Sequence, residues 1–204
     1  MSDFKTRFVL NCELEYPRLN QYFWFNSATR KSEPCDKTRP GAEKSVGFKL
    51  PKDEAAKLWN DAKAHFNDVK SRKPDMGDFQ TIHSYRENDD GTISFKAKRK
   101  GMTARGTPGA DVAVVDGNND LVEDLAFWGG SIGGVKFSML PTFNQSKGEW
   151  GITFMLDKVQ VTEPKYGSDG GEDFPIQNPV KPAPKENSAA NHASDDLYDD
   201  AIPF

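Results

Sequence analysis

The sequence predicts a mainly β chain: a small Greek-key barrel with one interposed amphipathic α-helix and a disordered acidic C-terminal tail. Three observations lead there. Most of the chain up to residue 166 consists of short apolar-alternating segments, one internal stretch has helical period, and the composition changes sharply after "KVQVTEPKYG". Several short strands with a single helix among them suit a closed antiparallel barrel better than a βαβ sheet.

Each element has its own signal. "FKTRFVLNCEL" (4–14) reads as a first strand, "QYFWFNSA" (21–28) as a short aromatic second, and "KSVGFKL" (44–50) as a third. "PKDEAAKLWNDAKAHFNDVKSRKP" (51–74) puts Ala55, Leu58, Trp59, Ala62, Phe66 and Val69 on one stripe at spacings of three and four. Its acids come first and its bases last, as the helix dipole favours, with Pro51 suited to the first turn and Pro74 to the stop. "GTISFKAKRKG" (91–101) alternates cleanly, with Ile93, Phe95 and Ala97 facing one way and Lys96, Lys98 and Lys100 the other. "ADVAVVDG" (110–117) and "DLVEDLAFW" (120–128) read as strands broken by a turn at "DGNND", and 134–144 with 148–161 as a hairpin joined at "QSKG".

The domain organisation follows from composition. Residues 167–194 are rich in Pro, Gly, Ser, Asn and Ala, cannot bury enough surface to offset their conformational entropy, and are expected to be a disordered linker. As a flexible coil those 28 residues span roughly 30 Å r.m.s.. The expected layout is a folded domain at 1–166, the linker at 167–194 and an acidic interaction tip at 195–204. The overall charge of −4 is uneven. Residues 167–204 hold eight acids against Lys181 and Lys185, which leaves 25 basic and 23 acidic residues in 1–166. A faintly basic body with an acidic tail suits a domain that meets a polyanion while its tail does something else. Cys12 and Cys35 have neither disulfide-scaffold density nor metal-ligand spacing and read as reduced thiols of a cytoplasmic protein. No signal peptide and no apolar run of membrane-spanning length is visible.

Catalytic patterns are weak. His65, His83 and His192 are scattered, and no nucleophile elbow or H-E-x-x-H helix occurs. "GGSIGG" (129–134) lacks the Lys-Ser/Thr of a phosphate loop, since Val135 and Lys136 follow, and reads as a strand start needing close backbone approach. A metal-dependent nuclease built from Asp75 or Asp78 with Glu163 and Lys165 is the enzymatic alternative. The reading preferred is no enzyme, no cofactor and no metal.

Single-stranded nucleic acid needs cations that follow phosphates and flat rings on which bases stack. The candidate phosphate contacts are Lys5, Arg7, Lys96, Lys98, Arg99, Lys100 and Lys136. The candidate stacking residues are Tyr22, Trp24, Tyr85, Phe143 and Trp150; Phe95, Phe143 and Phe154 also suit a core. In "YFWF" alternation turns out either Tyr22 and Trp24 or Phe23 and Phe25, and the amphipathic pair is the cheaper to leave in water, so Tyr22 and Trp24 are expected outward. The lysine row also suits a solvated strand that resists aggregation. The basic loop "KGMTARGTPG" (100–109) favours the ligand reading.

Two stretches resemble known families. The terminus Asp199-Asp200-Ala201-Ile202-Pro203-Phe204 is similar to the acidic tip of bacterial single-stranded DNA-binding proteins, with Ala201 standing between the aspartates and Ile202. Residues 126–161 resemble the closing hairpin of the single-stranded DNA-binding proteins of tailed bacteriophages. The resemblance implies an OB-fold domain that coats single-stranded DNA without strong sequence preference during phage DNA replication, recombination and repair in the host cytoplasm. It also implies that Asp199, Asp200, Ile202, Pro203 and Phe204 recruit replication, recombination or repair proteins. An adaptor that ignores DNA is the remaining alternative.

Overall fold

The computed structural model describes residues 3–123 and 125–166. The linker and tip expected at 167–204 lie outside the described residues. Among the described residues, nine strands and one helix run in the order β1 (Lys5–Asn26), β2 (Lys31–Cys35), β3 (Glu43–Leu50), α1 (Lys52–Arg72), β4 (Thr81–Ile82), β5 (Tyr85–Glu87), β6 (Ile93–Lys100), β7 (Ala113–Val115), β8 (Ile132–Asn144) and β9 (Glu149–Glu163). The pairings β1–β3, β3–β6, β6–β9, β9–β8 and β8–β1 close on themselves as a five-stranded barrel. All are antiparallel except β6–β9, which is parallel through Ala97↔Phe154 and Lys98↔Met155.

The barrel is filled by inward residues of the alternating strands. Phe48 of β3 stacks on Phe95, Phe137 and Phe154, with ring centroids 5.7, 5.6 and 6.2 Å away. Such offset stacks add packing energy beyond simple burial. α1 lays Ala55, Leu58, Ala62, Phe66 and Val69 against this core, as its periodicity predicts. Trp59 is only partly buried, with its ring edge-on to Tyr85 at 5.1 Å. Asp61, also on α1, accepts from Lys5 Nζ at 2.6 Å and from Arg7 Nε, tying the start of β1 to the helix.

Three expectations change. The two N-terminal strands are one strand of 22 residues. Register shifts between Val9 and Cys12, Glu15 and Arg18, and Arg18 and Phe23, with left-handed backbone at Asn11 and Tyr16, bend it. Bulges of this kind let one strand serve both halves of a barrel. Among the described residues of 120–128 no strand forms: Val122 N–H donates to the Val114 carbonyl, and Leu121 and Phe127 make single bridges. The turn before it is as expected, with Asp116 Oδ1 accepting from the Asn118 and Asp120 amides. Phe143 is exposed rather than core. The Gly-rich stretch is a tight strand start: a Cβ at Gly133 would collide with the Gln160 carbonyl oxygen of β9.

Candidate nucleic-acid interface

The outer face of β1, β3 and β6 carries two adjoining clefts. The first, of about 340 Å³, is lined by Glu15, Tyr16, Arg18, Tyr85, Arg86 and Lys96 with the small residues Ser45 and Gly47 as floor. The second is lined by Arg18, Phe23, Trp24, Phe25, Lys96 and Lys98. Arg18, Ser45 and Lys96 line both, so the two form one continuous groove.

Small residues on β3 make the depression, because Ser45 and Gly47 face the side opposite Val46 and Phe48 and present almost no side chain to solvent. Rings rise around them. Tyr16 is 75% exposed, Phe25 62% and Tyr85 41%, although apolar rings normally cover themselves. The cations are held by internal carboxylates. Glu43 takes Lys96 at 3.3 Å and Lys98 at 3.5 Å, and Glu15 takes Arg86 at 3.5 Å.

The expected site residues divide. Tyr85, Lys96 and Lys98 lie in the groove, and Trp24 lines it with the Arg39 guanidinium 3.7 Å over its ring. Lys100 is exposed at the end of β6. Tyr22 corrects the expectation that it faces outward: it is 7% exposed, and its hydroxyl donates to Asp111 Oδ1 at 3.1 Å. Burial, followed by the Asp111 charge, pushes its phenol up to about 12, so the hydroxyl keeps its proton and the bond persists at neutral pH. A buried tyrosine whose hydroxyl has a partner costs little. Phe23 and Phe25, from the other side of the strand, line the groove together with Trp24. Arg99 is turned away and paired with Asp157 at 3.3 Å. Lys5 and Arg7 are committed to Asp61, and Lys136 sits 5.3 Å over the ring of exposed Phe8 on another part of the barrel surface. Phe143 and Trp150 pack at a tilt, with centroids 5.3 Å apart, beside the β8–β9 turn. Asp199, Asp200, Ile202, Pro203 and Phe204 lie outside the described residues.

Tyr16, Arg18, Phe23, Phe25 and Arg86 are groove residues beyond the expected set. Phe23 and Phe25 were legible as the other side of the alternation, whereas Tyr16 and Arg18 sit on a bulge that erases it. The nuclease constellation is not assembled. Asp78 pairs with Lys70 at 2.5 Å, next to Gly77, which abuts Trp150 at the start of β9. Glu163 ends β9, on the order of 40 Å further along the strand. Among the described residues no three His, Cys, Asp or Glu side chains gather as a metal would need, and no helix is long and apolar enough to cross a membrane.

A closed five-stranded Greek-key barrel with a groove across its second and third strands, β3 and β6, is an OB-fold, an architecture used for oligonucleotides and oligosaccharides. Solved structures agree. The single-stranded DNA-binding protein gp2.5 of bacteriophage T7 superposes with a TM-score of 0.54 at 21% identity, covering 87% of this chain and 99% of that one. The single-stranded DNA-binding protein of bacteriophage Enc34 in complex with single-stranded DNA gives 0.53 at 13% identity, over 78% of this chain and 87% of that one. No protein-family model matches the chain, and no curated protein sequence does. At these identities the likeness establishes the fold, as the sequence resemblance implied.

Proposed function

We propose that the protein is a non-enzymatic single-stranded DNA-binding protein that holds DNA along the β1–β3–β6 groove. The observation that carries this is the interleaving of rings with cations along one groove: the exposed Tyr85, Tyr16 and Phe25 and the half-buried Phe23 beside Arg86, Arg18, Lys96 and Lys98. Phosphates replace Glu43 as the partner of Lys96 and Lys98, and bases lie on the rings, each worth about 1–3 kcal/mol with little regard to identity. Phe143, exposed beside the β8–β9 turn, is a further stacking position. In this reading the protein coats single strands during phage DNA replication, recombination and repair in the host cytoplasm. Asp199, Asp200, Ile202, Pro203 and Phe204 recruit partner proteins by placing apolar groups in a pocket and carboxylates on its basic rim.

Titrating intrinsic tryptophan fluorescence with a single-stranded oligonucleotide tests the reading, since Trp24 lines the groove and Trp59 touches Tyr85. Binding should weaken as salt rises, with log K falling linearly in log salt. Absent binding, or affinity indifferent to salt, contradicts it. Deleting residues 195–204 separates the two activities: DNA affinity should stay equal or rise, while capture of a host replication protein should be lost.

A further inference from the structure

The Tyr16–Tyr85 end of the groove differs from the rest in backbone. Tyr16 (φ 44°) and Ser84 (φ 68°) both line this cleft, and both lie in the left-handed region that residues with a Cβ avoid. Such strain persists where the surrounding structure over-determines it, and it clusters at binding sites. Here it sets the two exposed rings: Tyr16 is itself the strained residue, and Ser84 immediately precedes Tyr85.

The cleft also holds a fixed acceptor. Glu15 pairs with Gly47 across β1–β3, and its side chain is 14% exposed. A Cβ at residue 47 would stand 3.0 Å from Glu15 Cβ and 3.5 Å from Oε2, so the bare glycine lets the carboxylate lie down over the cleft floor. Glu15 Oε1 accepts from Arg86 Nη2 at 3.5 Å, and Arg86 Nε donates to Asn88 Oδ1 at 3.1 Å. A phosphate is repelled by a carboxylate so placed. A base is not, provided that the edge it presents carries a donor. Cytosine offers its N4 amino group to a carboxylate, whereas uracil and thymine carry O4 at that same position, an acceptor facing an acceptor, with their N3–H one ring atom away.

We infer that this cleft is a nucleobase subsite in which Glu15 accepts a hydrogen bond from an exocyclic amino group, so that the protein prefers cytosine to uracil or thymine. The inference rests on the single-stranded DNA reading and adds a base preference to it. A hydrogen bond to a charged acceptor, set against an unpaired one, corresponds to about tenfold in affinity for an occupied subsite.

The test uses the full-length protein and fluorescence anisotropy with labelled oligo(dC) and oligo(dU) of equal length, at one salt concentration and slightly alkaline pH. These bases match in size and differ at the 4-position and the N3 proton. Wild type should bind oligo(dC) about tenfold more tightly than oligo(dU). Glu15→Gln should bring the ratio close to one, because a carboxamide offers an acceptor to N4 and a donor to O4 alike. Thermal melting of the variant checks that it remains folded, and the wild-type ratio stands without it. Equal wild-type affinities, tighter oligo(dU), or a ratio that survives Glu15→Gln overturns the base preference. Binding of neither oligomer overturns the groove reading itself.

Discussion

Glu43 reaches Lys96 at 3.3 Å across the β3–β6 pair and Lys98 at 3.5 Å, so one carboxylate occupies two of the groove's cations. Both lysines are about a third exposed, which places the ion pairs in the regime where each contributes about 0.2–1 kcal/mol.

Replacing Glu43 with Gln removes a competitor for phosphate. Single-stranded DNA affinity at low salt should rise about two- to fivefold. Lys98→Ala should act oppositely, weakening binding and reducing the magnitude of the log–log salt slope by about 0.7. Anisotropy across a salt series reads both.

The stacking assignment predicts that Phe25→Ala and Tyr22→Phe behave differently. Phe25 is 62% exposed, so its removal should cost about 1–3 kcal/mol of DNA binding and leave the melting temperature nearly unchanged. Tyr22→Phe loses the bond to Asp111 and should cost about 1 kcal/mol of stability while DNA affinity holds. Melting and titration of the two variants side by side decide it.

Asp61 predicts a pH-dependent stability. Its hydrogen bond from Arg7 above all, then that from Lys5, holds the carboxyl below its ordinary value of 3.8 against the opposing effect of burial. The unfolded chain therefore takes up this proton at higher pH than the folded one. The stabilisation is complete above 3.8 and is lost as pH falls through the lower folded value. Asp61→Asn should be about 1 kcal/mol less stable in urea titrations at neutral pH, with the difference from wild type shrinking toward pH of about 3.

Much of this was readable from local pattern. The α1 stripe, the Lys96/Lys98 against Phe95/Ala97 alternation and the β8–β9 hairpin depend on neighbours a few residues away, and each is where its period puts it. What failed depends on distant partners. The outward face of "YFWF" turns on Asp111, 89 residues from Tyr22, which no alternation rule can supply. Residues 4–28 could not be read as one strand because Asn11 and Tyr16 adopt left-handed backbone and shift the register, hiding Tyr16 and Arg18 from a period-two search. At 120–128 apolar residues serve as bridges to Val115 and Tyr166 rather than as a ladder. A sequence period cannot distinguish those uses.

The central claim is that single-stranded DNA runs along the β1–β3–β6 groove. Photocrosslinking of the full-length protein to oligonucleotides carrying 5-iodopyrimidines, followed by mass spectrometry of the adducts, tests it most directly. Adducts should concentrate on Tyr16, Phe23, Phe25 and Tyr85 and disappear when excess unlabelled single-stranded DNA is added. Adducts concentrated instead on Phe8 beside Lys136, with those four rings unmodified, would contradict the account.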